Sequence, residues 1–337
     1  MLGPQVGAFE RAFAVWCGTA HAVGVASGTA ALHLALAALG VGRGDHVVTT
    51  PHTFAASAEA IVHAGATPRF ADVDDATGGL DPKALSAALD SGPAAAVMPV
   101  HLYGLPADMP AILKAAGDVP VLEDAAQAHG ATLGTTRAGA LGRIAAFSFY
   151  PAKNLGAFGD AGAVTTSSPE LAERVARLRD HGRTSKYEHA EVGYGERIDT
   201  LQAAVLLVRL ARMDAANAAR ARLAARYDEL LAGVGDLRLP ARPDGRVSAW
   251  HLYVVRTGQR DALLTHLRER GIGAGIHYPV PLHLQPAFRG LGYAPGDFPV
   301  AEAWAGECLS LPLYPELGEA DQDRVAVAVR DFFEAGP

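Results

Sequence analysis

Along the first two-thirds of the chain, short apolar runs alternate with longer stretches whose apolar residues recur at helical spacing. The short runs predict strands at 22–26, 46–50, 69–73, 95–100, 119–123, 145–149 and 162–166. Helices are predicted between them, at 30–39, 54–63, 82–89 and 109–116. Buried strands separated by helices define an α/β fold, a mostly parallel sheet covered on both faces. From 200 to 231 the chain is almost continuously helix-forming and lacks proline, which predicts one long connecting helix. Beyond Gly233 the pattern is punctuated by proline and glycine. A strand at 250–255, a helix at 261–270, a loop rich in proline and histidine and a closing helix near 321–333 are expected there. The expected organisation is a large α/β domain over 1–199, a connecting helix over 200–232 and a small α+β domain over 233–337.

A length of 337 residues, half of them apolar, provides for a sizeable core in one large or two unequal domains. The net charge of −7 carries no run of like sign, which argues against a nucleic-acid arm or a polybasic membrane patch. Cys17 and Cys308 are too few for a disulfide framework and form no metal-binding spacing, so both are expected as small buried hydrophobes. No long uncharged apolar run and no signal-peptide pattern is present, and the expected setting is a reducing cytoplasm. One compositional bias changes the picture. Of 29 basic residues only Lys83, Lys114, Lys153 and Lys186 are lysines. A lysine kept in an apolar, glycine-rich setting needs a reason, because arginine stays protonated and cannot serve as an amine nucleophile.

Three segments carry candidate chemistry. In Ser27-Gly28-Thr29 a strand ends, Ser27 can cap the next helix, and unpaired amides at the positive end of the dipole face outward, a ready site for phosphate. An ordinary capped helix would read the same way. In Glu123-Asp124-Ala125-Ala126-Gln127, Asp124 ends a buried strand at the edge where open α/β sheets bind ligands. A carboxylate there needs a cation, either an arginine or a protonated pyridine nitrogen, and Gln127 could hydrogen-bond a phenolic oxygen. The strand 145–149 brings Ser148 to the same edge, and Lys153 follows in a turn with few charges nearby. Desolvation lowers a lysine's pKa and makes it an amine competent to attack a carbonyl. Phosphate cradle, carboxylate and amine together are the protein side of a pyridoxal 5'-phosphate site.

The chain resembles the DegT/DnrJ/EryC1/StrS family of sugar aminotransferases over nearly its whole length. The likeness is carried by H-A-V-G-V-A-S-G-T-A-A-L-H-L-A-L, T-P-H-T-F-A-A-S-A-E-A-I, P-V-H-L-Y-G, E-D-A-A-Q-A-H-G-A, F-S-F-Y-P-A-K-N-L-G-A-F-G-D-A-G-A-V and R-I-D-T-L-Q-A-A. The resemblance implies a fold-type I aminotransferase that works as a homodimer with active sites at the subunit interface. By position, Lys153 would bind the cofactor covalently, Asp124 would pair with its pyridinium nitrogen and Gln127 would contact its phenolic oxygen. Gly28, Thr29 and Ser148 would hold the phosphate, and Phe54 would stack on the ring.

The segment G-I-H-Y-P-V-P-L-H-L-Q, at 275–285, is similar to the branch that aminates carbon 3 of dTDP-3-keto-deoxyhexoses. There Tyr150, His277 and Tyr278 would lie beside the hexose, and the resemblance implies L-glutamate as donor. A 4-keto-sugar or keto-cyclitol aminotransferase, or a non-catalytic partner of the same fold, are the alternative expectations. The chain departs from the family pattern in two places. A leading arm that the family carries before M-L-G-P-Q-V is not in this sequence, which bears on N-terminal packing and the dimer interface. Gly195 stands where the family's G-Y-N-x-R has an asparagine that reaches the partner's phosphate, so weaker cofactor binding is expected.

Overall fold

The computed structural model describes residues 2–334. The apolar runs form one continuous sheet. Thr67–Phe70, His46–Thr49 and Ala96–Val97 pair in parallel. Bridges from Val97 to Val121 and from Val100 to Asp124 carry the parallel pairing into Leu122–Asp124, which in turn pairs with Ile144–Ser148. Gly162–Thr166 alone runs against the rest, antiparallel to both Ile144–Ser148 and His21–Val25. The strands are apolar on both sides because both sides are covered.

One cover is helix Gly28–Ala38, apolar almost all round and therefore buried. Its Leu32, Leu34 and Leu36 pack with Val23, Val164 and Leu178. On the other face, Phe9 and Phe13 of helix Pro4–Cys17 meet the sheet. The Phe13 ring stands edge-on to Phe147 at 5.1 Å and to Phe149 at 5.2 Å between centroids, a geometry that adds to the area burial. A further core lies toward the C-terminus, where Tyr253–Arg256 pairs antiparallel with Cys308–Leu311 beneath helices Arg260–Glu269 and Glu319–Glu334. Cys17 and Cys308 are both buried and unbridged.

The single long helix expected over 200–231 is corrected. The segment forms two helices, Thr200–Leu210 and Met213–Leu231, with a break at Arg212 (φ −108°, ψ 0°). No proline or glycine marks it. The first helix buries Ala203, Leu206 and Leu210 among Phe9 and Phe147, and the second buries Ala224, Tyr227 and Leu231 among Tyr253, Leu263 and Val325. Two cores claim the two halves, and tertiary packing overrides a local propensity that is high throughout.

Candidate active site

The sheet delivers the predicted residues to one edge. Asp124 is the last residue of its strand and is buried. Its Oδ2 accepts a hydrogen bond from Ser57 Oγ at 2.7 Å, and its Oδ1 accepts one from the Ala126 amide at 3.2 Å. Among the described residues it forms no ion pair with an arginine or histidine. Burial pushes its pKa up, opposed by the Ser57 and Ala126 hydrogen bonds and by the Lys153 charge. Lys153 is partly buried in the turn after Ser148, its amide donating to the Tyr150 carbonyl at 2.8 Å. Burial lowers its pKa and Asp124 partly restores it. The two groups therefore feel each other across a desolvated space, with the amine held nearer to neutrality than on a surface.

The adjoining strand residue, Glu123, is fully buried and its oxygens are spent on structure. They accept from His101 Nε2 at 2.9 Å and from the amides of Gly139, Leu141 and Gly142 at 2.6–2.8 Å. The Ala107 amide donates to His101 Nδ1 at 3.0 Å, so the ring proton sits on Nε2.

Beside Asp124, the start of helix Gly28–Ala38 closes against Ser148. The Ser27 hydroxyl accepts from the Ala30 amide at 3.0 Å, which leaves the Gly28 and Thr29 amides at the helix tip, ahead of the first intrahelical donor. A Cβ on Gly28 would lie 2.6 Å from Ser148 Cβ, so only glycine permits the approach. The Ser148 oxygen accepts from the Tyr150 amide at 3.3 Å, and its hydroxyl proton remains available. Backbone amides, a hydroxyl and a helix dipole thus converge on one small volume suited to an anion.

Opposite Asp124, the segment around His277 and Tyr278 forms the other wall. Gln127 Nε2 donates to Tyr278 Oη at 3.2 Å, and the Tyr278 ring lies 5.7 Å from that of Phe54, tilted by 41°. Burial raises the Tyr278 pKa to about 12. His277 Nδ1 is 2.8 Å from Ser310 Oγ, and burial and the Lys153 charge lower its pKa. Phe54 and Tyr150 are exposed at the mouth. Gly195 stands apart from this group within the chain: it bridges to Asp180, and a Cβ there would meet His181 Cε1 at 3.3 Å.

Two residues that support the site, Ser57 and Asn154, lie inside the quoted motifs but were not singled out from the sequence. Ser57 reaches Asp124 from a helix 67 positions away in sequence. Asn154 fixes the turn that carries Lys153: its Nδ2 donates to the Ala249 carbonyl at 2.7 Å, and its Oδ1 is 3.1 Å from His251 Nδ1. The motif P-A-K-N contains Asn154, so its position could have been flagged, though not its partners.

The comparisons with known proteins give the family and the activity. The sequence profile of the DegT/DnrJ/EryC1/StrS aminotransferase family matches residues 1–330, and the chain belongs to that family. It is 47% identical over 336 residues to a dTDP-3-amino-3,4,6-trideoxy-alpha-D-glucose transaminase of Streptomyces venezuelae, covering 99% of this chain and 88% of the relative. It is 44% identical over 332 residues to a UDP-N-acetyl-3-dehydro-alpha-D-glucosamine 3-aminotransferase of Acidithiobacillus ferrooxidans, covering 98% and 89%. A crystal structure of S. venezuelae DesV in complex with a ketimine intermediate superposes with a TM-score of 0.97 at 48% identity, covering 99% of this chain and 90% of that one. Similar solved structures include forms holding pyridoxal phosphate or pyridoxamine phosphate. The protein is a pyridoxal-phosphate-dependent aminotransferase of the fold-type I class.

Proposed function

We propose that the chain transfers an amino group from L-glutamate to carbon 3 of a dTDP-linked 3-keto-6-deoxyhexose. The observation that carries the chemistry is the pair Lys153 and Asp124, an amine whose pKa burial lowers and a buried carboxylate that interact electrostatically, the carboxylate forming no ion pair among the described residues. The substrate class is supported by the S. venezuelae relative and by the His277–Tyr278 wall.

The residues fit pyridoxal phosphate. Asp124 is a buried carboxylate short of a positive partner, which a protonated ring nitrogen supplies. The Gly28–Ser148 closure offers amides and a hydroxyl to a phosphate. Bound there, the cofactor supplies the electron sink for the carbanion left when the donor's α-proton departs. Lys153, its pKa lowered by burial, would hold the cofactor through its carbonyl carbon with loss of water, and, once displaced by the donor's amine, its freed amine would move the α-proton. Asp124 keeps the ring nitrogen protonated, and Ser57 holds that carboxylate in place. Gln127 has a second Nε2 proton free for the phenolic oxygen. Phe54 would stack on the ring, and Tyr150, His277 and Tyr278 would lie beside the sugar.

A homodimer completes the reading. Leu201 and Val208 on helix Thr200–Leu210 are exposed, as are Val15 and Phe158 nearby in the fold, and a second copy of the chain is the partner that this apolar surface fits. The expected setting remains cytoplasmic; no described helix is long and apolar enough to cross a membrane. The test is incubation of the loaded enzyme with L-glutamate and either a dTDP-3-keto-6-deoxyhexose, a 4-keto isomer or a keto-cyclitol, with products read by mass spectrometry. Amination of the 4-keto sugar or the cyclitol in preference to the 3-keto sugar would replace the substrate assignment.

A further inference from the structure

We propose that Tyr103 is a positioning residue whose amide and hydroxyl set the His277–Tyr278 segment against Gln127, and so shape the wall that receives the keto-sugar. The inference rests on the proposed function for the identity of that substrate, and on geometry for the rest. Tyr103 belongs to the motif P-V-H-L-Y-G, whose part in the site is otherwise unassigned.

The contacts form a closed circuit. The Tyr103 amide donates to Gln127 Oε1 at 2.6 Å, which fixes the orientation of the carboxamide and turns Nε2 outward. That Nε2 donates to Tyr278 Oη at 3.2 Å. Tyr278 is covalently joined to His277, and the His277 carbonyl accepts from the Tyr103 hydroxyl. One residue therefore grips the same wall at two points, by way of the Gln127 side chain and by way of the His277 backbone. The Tyr103 carbonyl is used as well, accepting from the Leu252 amide at 3.2 Å.

The backbone shows that this arrangement is imposed rather than relaxed. Tyr103 sits at φ 59°, ψ 3°, in the left-handed region that a residue with a bulky side chain seldom occupies. Gly104 follows at φ 102°, and a Cβ on it would lie 2.9 Å from the His251 amide nitrogen. The pair of unusual residues lets the amide point at Gln127 while the ring turns back beneath His277.

A second group holds the hydroxyl. His52 is fully buried and its Nε2 is 2.8 Å from Tyr103 Oη. The hydroxyl proton is committed to the His277 carbonyl, which can only accept, so His52 must donate from Nε2. His52 is then the Nε2–H tautomer with Nδ1 unprotonated, and Nδ1 has no hydrogen-bond partner among the described residues. Burial, together with the Arg256 charge, lowers its pKa to about 3, which favours the neutral ring.

The test compares the loaded wild type with Tyr103→Phe, which keeps the ring and loses the hydroxyl, and with His52→Leu, which removes the donor behind it and keeps an apolar side chain against Trp304. Hydrogen–deuterium exchange is followed in peptides covering 275–285 and in peptides from the sheet. Loss of one hydrogen bond predicts roughly fivefold faster exchange in 275–285 for Tyr103→Phe, with the sheet peptides unchanged. KM for the keto-sugar should rise by about the same factor, while the single-turnover half-reaction with glutamate changes by less than about twofold. His52→Leu should move both readouts in the same direction by less, and it carries the test should Tyr103→Phe fail to fold. Unchanged exchange in 275–285, or a uniform rise over all peptides with both half-reactions falling together, would overturn the proposal. A wild type that aminates no keto-sugar sinks the functional reading instead, and the exchange pattern still decides the positional claim.

Discussion

Replacing Asp124 by asparagine sets two opposite effects against each other, and the structure gives the sign of each. Ser57 Oγ donates to Asp124 Oδ2 at 2.7 Å and lies 3.0 Å from Thr53 Oγ1. With asparagine in place, the Ser57 hydroxyl can turn to donate to Thr53 and accept from the new Nδ2, while Oδ1 keeps the Ala126 amide. The hydrogen bonds therefore survive and only the charge is lost. For catalysis the charge is what matters. Removing one preorganised electrostatic partner typically costs about 10²–10³ in kcat, roughly 2.7–4 kcal/mol. For stability of the cofactor-free protein the sign reverses. Burial raises the folded pKa of Asp124 above its ordinary 3.8. A group raised in this way contributes stability that is complete below the unfolded pKa and is lost as pH rises through the folded value. Asparagine has no such loss. The apo form of Asp124→Asn should therefore unfold at a higher temperature than the wild-type apo form near neutrality, and the gap should close as pH falls towards the unfolded pKa. The assays are thermal unfolding of both apo forms across pH and steady-state kinetics of both loaded forms. A kcat loss smaller than about tenfold, about 1.4 kcal/mol, would show that another group serves the ring nitrogen. A wild-type apo form more stable than the variant at neutral pH would refute the view of Asp124 as a carboxylate lacking its counter-charge.

Three further outcomes are expected. Lys153→Ala should fold and bind the cofactor without a covalent bond, seen as a shifted absorbance band, with turnover below detection; near-wild-type turnover removes the assignment. Gly28→Ala places a Cβ 2.6 Å from Ser148 Cβ and must push the helix start away from the anion cradle, an overpacking cost of about 1–3 kcal/mol. Its cofactor dissociation constant should rise by roughly 5- to 150-fold on that scale, and unaltered affinity would place the phosphate elsewhere. Gly195→Asn should be accepted, since the backbone there lies outside the left-handed region and its nearest neighbour is the exposed end of His181. A restored bond to an anionic oxygen contributes about 1.5–3 kcal/mol, read as tighter cofactor binding in equilibrium dialysis; an unchanged constant in a folded dimer means the loop does not reach the partner's phosphate.

The sheet and the positions of the proposed reactive pair were legible because each leaves a local mark. Fully buried strands show as unbroken apolar runs, Asp124 ends one such run, and Lys153 stands out in a chain that otherwise uses arginine. What stayed hidden is long-range. Ser57 supports Asp124 across 67 positions, and Tyr103 reaches His277 across 174. Neither contact leaves a period or a composition behind. The break at Arg212 was hidden for a related reason, since helix propensity records what a segment can form and says nothing of two cores competing for it.

Glu123 and Asp124 are adjacent acids in one short strand with opposite fates, and the pleat is what separates them, because successive side chains leave a strand on opposite sides. Glu123 is saturated by a histidine and three amides, whereas Asp124 keeps unused capacity. The distinction is one of phase rather than of chemistry. Deleting a single residue in the connection 117–121 would turn the saturated side toward the ring site and drive the reactive carboxylate into the opposite layer. Exchange of either acid for the other type is a smaller insult than that slip. Mutational tolerance along this segment should therefore be read as tolerance of substitutions and intolerance of length change, even at Gly117 and Asp118, where the connection is exposed.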